Sequence, residues 1–203
     1  KAFGAYVTDR TVVNENLILS GGIRYDYGDV NIHSYKDWFK TPTADGDSVY
    51  MERSSDFSKR FSSITWSAGV NGRLGDFALK ANIGKSFRMP IAKELGMDGV
   101  NYSIFRYEKG NAGLRPEESY QIDAGVVFER GPVEASFTPY ANYFPNYIYL
   151  KPTSDYKEGL QLYYYTQSRV FRWGFEASLK WRFLRDFEFD ADGEYLYSRQ
   201  LSG

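Results

Sequence analysis

The sequence contains no cysteine and only one histidine, His33. Without cysteine the chain can form no disulfide, no zinc–cysteine site and no thiol nucleophile. Catalysis by a histidine base has a single possible participant, and His33 is more typical of a lone surface residue than of a metal ligand. Paired carboxylates such as Glu188 and Asp190 repeat with the strand pattern described below and accompany no hydrolase motif. We therefore expect no enzymatic activity, no cofactor and no metal site.

An excess of charge of either sign is also missing. The chain has 25 basic and 26 acidic residues, for a net charge of −1. Binding to the phosphate backbone of nucleic acid requires a concentrated positive charge, so we expect no nucleic-acid partner. No apolar run approaches the roughly 20 residues that a transmembrane helix needs.

Aromatic residues are abundant. The 203 residues include 18 Tyr and 15 Phe, and aromatics make up 18% of the chain, alongside 19 Gly. Aromatic side chains pack well on a pleated surface, so this composition favours β-structure over helices.

Side chains alternate between apolar and polar along most of the chain. In the segment 120–129, Tyr, Ile, Ala, Val and Phe fall on one face, and Gln, Asp, Gly, Val and Glu fall on the other. This period of two predicts a strand rather than a helix after Pro116. The same alternation recurs in the segments 17–27, 64–71, 77–88, 172–183 and 187–198. We predict about eight strands, several of them ten residues or longer.

The predicted connections alternate between short and long. Short turns are expected at 74–76, 130–132 and 184–186, and a slightly longer turn at 11–16. Long polar loops are expected at about 30–60, 89–116 and 151–160. The pattern predicts one all-β domain over residues 1–203, an antiparallel up-and-down meander with short turns at one end and long loops at the other.

The length of the strands distinguishes two kinds of β-protein. Strands of soluble proteins average five or six residues, whereas a transmembrane β-strand needs about nine to eleven. One face is rich in Trp, Tyr and Phe near strand ends, and the other carries charges in mid-strand, as expected for an aromatic girdle outside and a wet lumen inside. These features favour a transmembrane β-barrel. A small non-transporting barrel and a soluble carbohydrate-binding β-domain are the alternatives.

A series of short motifs carries a family resemblance. The sequence reads Ser86-Phe87-Arg88-Met89-Pro90, then Glu94-Leu95, then Gly110-Asn111, Leu114 and Pro116-Glu117-Glu118-Ser119. In this order the motifs resemble the SFRxP…EL…GNxxLxPExS signature of TonB-dependent outer-membrane receptors. With the segment 144–150, FPNYIYL, downstream, this variant is similar to the receptors of Bacteroidetes-type bacteria. The segment 16–26, NLILSGGIRYD, is similar to a second strand motif of that family.

The resemblance implies a function and partners. Members of the family import scarce nutrients across the bacterial outer membrane, and an iron–siderophore or other metal complex is the expected cargo. Oligosaccharide and cobalamin are alternatives, whereas the lack of a histidine between Arg88 and Pro116 disfavours haem. The implied partners are outer-membrane lipid, a small-molecule nutrient or metal chelate, and the TonB complex, which acts through a plug domain. Because such barrels have about 22 strands, we expect this chain to be an internal portion, without the plug and the C-terminal strands.

Loop residues are the candidates for ligand binding, because recognition often resides on loops that a rigid scaffold positions. The segment 97–109 offers aromatic and charged side chains that could hold a metal chelate or a sugar, although an ordinary solvated loop is an equal alternative. The candidates are Asn101, Tyr102, Arg106, Tyr107, Glu108 and Lys109.

Two features of the family motif predict local structure. Arg88 is expected to form an ion pair with a carboxylate, for which Glu117 and Glu118 are available. Gly110, Asn111 and Gly113 are expected to shape the backbone, because Gly and Asn tolerate positive φ.

Overall fold

The computed structural model describes residues 1–43, 45–184 and 187–201. Within these ranges the chain is almost entirely β-structure. In chain order the strands are β1 (Ala2–Asn14), β2 (Leu17–Ile32), β3 (Tyr35–Lys36), β4 (Thr41–Pro42), β5 (Ser48–Val49), β6 (Glu52–Ser54), β7 (Phe57–Leu74), β8 (Phe77–Arg88), β9 (Asp98–Asn101), β10 (Arg106–Lys109), β11 (Glu117–Arg130), β12 (Val133–Lys157), β13 (Leu160–Leu184) and β14 (Phe187–Gln200). One short helix, α1 (Ala92–Gly96), lies between β8 and β9. Eight strands are long, from 12 residues in β8 to 25 in β12 and β13, which confirms the predicted number.

The long strands form one sheet in the order β1-β2-β7-β8-β11-β12-β13-β14. Each is antiparallel to its neighbour in this order, so the predicted up-and-down meander is confirmed. The short strand β10 joins the same sheet by pairing parallel to β13, and β9 pairs with β10. β3 with β6, and β4 with β5, form two small separate pairs.

One end of the sheet carries tight turns. Gly75 and Gly131 have φ values of 58° and 56° in the turns after β7 and β11, a conformation that glycine adopts without steric cost. The turn after β1 contains two residues between Asn14 and Leu17, shorter than predicted. The predicted turn at 184–186 includes residues outside the described ranges.

The other end carries the long connections, and here the structure differs from the prediction in two places. The predicted loop at 151–160 is wrong, because β12 and β13 continue through it to a two-residue turn. In that turn Glu158 and Gly159 have φ values of 51° and 74°, as in the type I′ turns that match the twist of a hairpin. The first loop is shorter than predicted, since β2 continues to Ile32 and β7 begins at Phe57. The segment 89–116 contains α1, β9 and β10, which the sequence pattern did not predict.

The two faces of the sheet differ in chemistry as the alternation predicted. On the polar face, Gln121 pairs with Gly84 and Asn142, and Asn142 pairs with Arg172. On the apolar face large side chains remain exposed, including Trp181, which is 46% exposed. A soluble sandwich would cover such a face with a second sheet, but the described residues supply none.

The buried apolar core is small and lies under the long connections rather than along the sheet. It consists of Phe61, Leu95, Leu114 and Ile148. The core therefore stabilises the loop end of the sheet, where the candidate ligand residues lie.

Among the described residues, no helix has the length and apolar character needed to cross a membrane.

Candidate functional site at the loop end

The segment 89–116 folds back over the polar face of the sheet. The Lys59 ammonium on β7 donates to the carbonyl oxygens of Ala112 and Leu114, at 2.6 and 2.8 Å. Earlier in the same segment, β10 pairs with residues 162–164 of β13. The segment thus connects one side of the sheet to the other above the polar face, and we call it the cap.

The charged residues of the family motif hold the base of the cap. The Arg88 guanidinium forms ion pairs with Glu94 at 2.9 Å and Glu117 at 3.3 Å, so the predicted pairing with Glu117 is confirmed. Glu94 also accepts the backbone N–H of Ile91 at 3.0 Å, and this bond helps to start α1. Glu118 pairs with Lys85 instead, at 2.6 Å.

The remaining motif residues serve packing and strand pairing. Pro90 and Leu114 are fully buried, which explains the apolar positions of the motif. Ser86 and Phe87 belong to β8, where they pair with Ser119 and Glu118 of β11. The carbonyl of Pro116 accepts a hydrogen bond from the Asn146 amide.

The glycine and asparagine residues of the motif shape the backbone for a different reason than predicted. None of Gly110, Asn111 and Gly113 has positive φ, so that part of the prediction is wrong. Gly110 is needed because a Cβ there would lie 2.7 Å from backbone atoms of Leu95 and Gly96. The Asn111 side chain accepts a hydrogen bond from the Gly113 N–H at 2.8 Å, which forms an Asx turn.

Glu108 is the charged centre of the cap and is fully buried. One carboxylate oxygen accepts from Arg106 at 2.7 Å and from Asn101 at 2.9 Å. The other oxygen pairs with the Lys93 ammonium at 2.6 Å. Burial acts to raise the pKa of Glu108, but the bonds from Lys93, Arg106 and Asn101 outweigh it and hold the pKa below its usual value.

Tyr107 is also fully buried and links the cap to the β12–β13 hairpin. Its hydroxyl donates to Asp98 at 2.7 Å, and the Lys157 ammonium lies 2.9 Å from the same carboxylate and 4.6 Å from the Tyr107 ring centroid. Burial acts to raise the pKa of Asp98, but the bonds from Tyr107 and Lys157 lower it below its usual value. Burial acts to lower the pKa of Lys157, and its bonds to Tyr107 and Asp98 raise it.

Arg53, on β6, links the connection between β2 and β7 to the cap and to the turn of the β12–β13 hairpin. It forms a bidentate pair with Glu158 at 2.6 and 2.9 Å and pairs with Asp37 at 2.7 Å. Its guanidinium also lies 3.5 Å from the Tyr107 hydroxyl. The bonds to Glu158, followed by those to Asp37, raise the pKa of Arg53 despite its burial. We call this group of residues the Arg53 hub.

The six predicted ligand residues therefore separate into two groups. Tyr107 and Glu108 are buried, and the polar groups of Asn101 and Arg106 are bound to Glu108. Tyr102 is 59% exposed, and Lys109 is also exposed. The structure thus places four of the six in the internal bonding of the cap and two at its surface.

Sequence reasoning missed several residues that build or surround this site. Asp37, Arg53, Lys93, Lys157 and Glu158 come from four separate segments, and no local pattern connects them. Exposed aromatic or apolar side chains next to the site were also missed. These are Trp38, Ile104, Phe105 and Tyr156.

Comparison with known proteins identifies the family. The model of the TonB dependent receptor-like, beta-barrel family matches residues 1–203. No curated protein sequence matches the chain. Among solved structures, the copper transporter OprC superimposes with a TM-score of 0.80 at 18% identity, over 99% of this chain and 30% of that one.

Two further structures show the same fold. The hemophore receptor HasR of Serratia marcescens, solved as a double mutant with its hemophore HasA and heme, gives a TM-score of 0.74 at 19% identity, over 97% of this chain and 34% of that one. The siderophore receptor PirA of Pseudomonas aeruginosa gives 0.71 at 19% identity, over 98% and 34%. The chain spans about a third of the length of these structures, and identities this low establish the fold alone. Because the family model matches all 203 residues, the chain belongs to the TonB-dependent receptor-like β-barrel family, whose members are outer-membrane proteins of Gram-negative bacteria.

Proposed function

We propose that the protein takes part in TonB-dependent import of a metal chelate, most simply an iron–siderophore, across the outer membrane. The observation that carries the proposal is the cap, which buried ion pairs hold over the polar face of a barrel wall. In such barrels the long loops are extracellular and the polar face lines the lumen. The cap therefore stands where a nutrient enters.

The surface of the cap supports an anionic, partly aromatic cargo. Tyr102 and Phe105 are 59% and 74% exposed at the tip of the β9–β10 hairpin. Lys109, exposed at the base of the same hairpin, adds a positive charge to the cap surface. Beneath the tip, the buried pairs of Glu108 fix the hairpin, so these contacts are presented without a large loss of conformational entropy on binding. Metal chelates with phenolate or carboxylate groups offer the complementary chemistry.

The lumen wall offers a second surface, which supports coupling through a plug. A cavity of about 550 Å³ opens on the polar face beside Arg24, Asp26, Thr65 and Ser67. Arg24 forms a bidentate bond to Asp26 at 2.7 to 2.9 Å. We assign this cavity to contact with the plug domain on which the TonB complex would act.

Growth under iron limitation tests the cargo. A strain lacking the gene is expected to lose uptake of radioactive iron from one siderophore, and the full-length gene is expected to restore it. The variant Tyr102→Ala/Phe105→Ala should reduce uptake at low chelate concentration while the amount of receptor in the outer membrane stays normal. Phe3→Ala serves as the control, because Phe3 is an exposed aromatic residue of β1 that lies outside both the cap and this cavity. A deletion strain with normal iron uptake and a defect on a glycan would contradict the proposal.

Oligosaccharide import is the second candidate, and a different aromatic pair favours it. Trp38 is 84% exposed, and its ring packs edge-on against Phe39 at 5.5 Å. An exposed tryptophan face suits stacking against a sugar ring. Trp38→Ala would then impair growth on the glycan and leave iron uptake unchanged.

A further inference from the structure

An apolar groove interrupts the lipid-facing surface of the sheet. It has a volume of about 530 Å³ and extends from the start of β2 across β7, β8 and β11 to β12. Its floor is made of the small residues Gly72, Ala81 and Ala124, and its walls include Leu17, Leu79 and Phe137. Ala81 and Ala124 are direct cross-strand partners, so two adjacent small side chains leave the depression between larger neighbours.

The groove lies in the half of the barrel wall near the short turns. Leu79 is two residues from the start of β8, and Gly72 is two residues from the end of β7. Since short turns are periplasmic in such barrels, the groove faces the periplasmic leaflet. The lipid of that leaflet is phospholipid.

A basic residue marks the membrane surface below the groove. Arg130 follows Val126 and Phe128 on the same alternating face of β11, so it lies about 13 Å from the groove residue Val126 at 3.3 Å per residue. Its register partner Val133 pairs with Trp181, and Phe128 packs on Phe77 at 5.0 Å. Aromatic residues at this height indicate the headgroup region.

Arg130 forms only a weak ion pair within the protein. Its nearest carboxylate, Asp76, is 3.7 Å away, and the two side chains are 76% and 48% exposed. An exposed pair at this distance contributes little to stability. The guanidinium therefore retains donors for a phosphate, which it binds with good geometry.

We propose that the groove and Arg130 form a binding site for one phospholipid of the periplasmic leaflet. An acyl chain lies in the groove against Ala81 and Ala124, and the lipid phosphate accepts hydrogen bonds from Arg130. An acyl chain that enters the groove fills its concave apolar surface, whereas a straight acyl chain that passes over the wall would leave the groove empty. The site is distinct from the nutrient path, which lies on the opposite face of the sheet.

Native mass spectrometry of the full-length receptor, released from detergent after incubation with phosphatidylglycerol, tests the site. The natural protein is expected to retain one phospholipid. The variant Ala81→Leu/Ala124→Leu fills the groove and should reduce that bound fraction at least five-fold. Arg130→Gln should reduce it by a similar factor.

Two matched variants serve as controls. Ala191→Leu enlarges a lipid-facing side chain on β14, outside the groove. Arg182→Gln removes a charge near the same end of the sheet but on the polar face. Both should retain the lipid as the natural protein does. Three outcomes would overturn the proposal. The groove-filled variant could retain as much lipid as the natural protein, or only the control variants could lose it. The receptor could also form a dimer without bound lipid, and the groove-filled variant could abolish that dimer.

Discussion

At the scale of single residues, Glu108 is the buried carboxylate on which the cap depends. Its partners Lys93 and Arg106 are themselves partly exposed, so they can reach water when the charge is removed. Glu108→Gln should lower the free energy of local unfolding of β9 and β10 by about 2 kcal/mol, because hydrogen bonds to charged groups contribute about 1.5–3 kcal/mol. In the full-length receptor, amide hydrogen exchange in these strands should become roughly 30-fold faster.

The control for this substitution is Glu52→Gln. Glu52 is exposed and accepts a hydrogen bond from Ser55 at 2.8 Å, so its replacement should change stability by less than about 0.5 kcal/mol. Equal exchange rates in Glu108→Gln and the natural protein would show that the buried pairs do not hold the cap.

The same residues give the cap a pH dependence. The pKa values of Glu108 and Asp98 are lower in the folded protein than the reference values of about 4.3 and 3.9. The unfolded cap therefore binds protons more readily, and the stabilisation is present above these reference values and lost as the pH falls through the folded pKa values. Exchange protection of β9 and β10, corrected for intrinsic rates, should be constant from pH 7 to about 5 and then decline. Constant protection down to pH 2 would contradict this.

The sequence predicted some contacts of the site and missed others, and distance along the chain explains the difference. Arg88 and Glu117 flank one loop and sit on adjacent strands, so a strand pattern brings them together. Arg53 and Glu158 are separated by 105 residues. Their pairing depends on how the connection between β2 and β7 folds against the turn of the β12–β13 hairpin. Side-chain alternation does not encode that arrangement.

At the scale of elements, the long strands were predictable and the cap was not. Alternation fixes which residues of a long strand share a face, and it is described above for segments of six of the eight long strands. The parallel pairing of β10 with β13 joins residues 107–109 to 162–164 and has no local signal. In β12, Pro152 and nearby charged residues indicated a loop, yet cross-strand pairing of Pro152 with Tyr163 keeps the segment extended.

At Gly110 the backbone of the cap passes close to the backbone of α1. In Gly110→Ala the new Cβ would lie 2.7 Å from backbone atoms of Leu95 and Gly96. Backbone atoms cannot relieve this overlap by a change of rotamer, as a side chain could. We expect a loss of about 1–3 kcal/mol in the stability of the cap, as for other overpacked sites. Trypsin cleavage after Lys93 and Lys109 should become faster.

A second glycine provides the control for this element. Gly193, in β14, has no heavy atom within 4 Å of a Cβ built on it, so Gly193→Ala should leave cleavage of the cap unchanged. Similar cleavage rates in both variants would mean that the close approach at Gly110 imposes no constraint.

At the scale of the whole molecule, the Arg53 hub makes one unit of three connections that are distant in sequence. Asp37 and Arg53 belong to the connection between β2 and β7, Tyr107 to the cap, and Glu158 to the turn of the β12–β13 hairpin. Glu158 adopts positive φ, which is uncommon for a residue with a side chain, and its carboxylate meets the guanidinium in bidentate geometry. These bonds hold the three connections together at the loop end of the sheet.

Breaking the hub should free the loops from one another without unfolding the barrel wall. We expect Arg53→Gln to broaden the distribution of distances between spin labels at Ser48 and Asp155 in the full-length receptor, measured by pulsed electron resonance. Arg53 is 9% exposed, so removal of its charge leaves the carboxylates of Asp37 and Glu158 without this cation. Arg115→Gln, whose backbone rather than side chain binds Gln167, should leave the distribution narrow. A narrow distribution in Arg53→Gln would show that strand pairing alone sets the position of the loops.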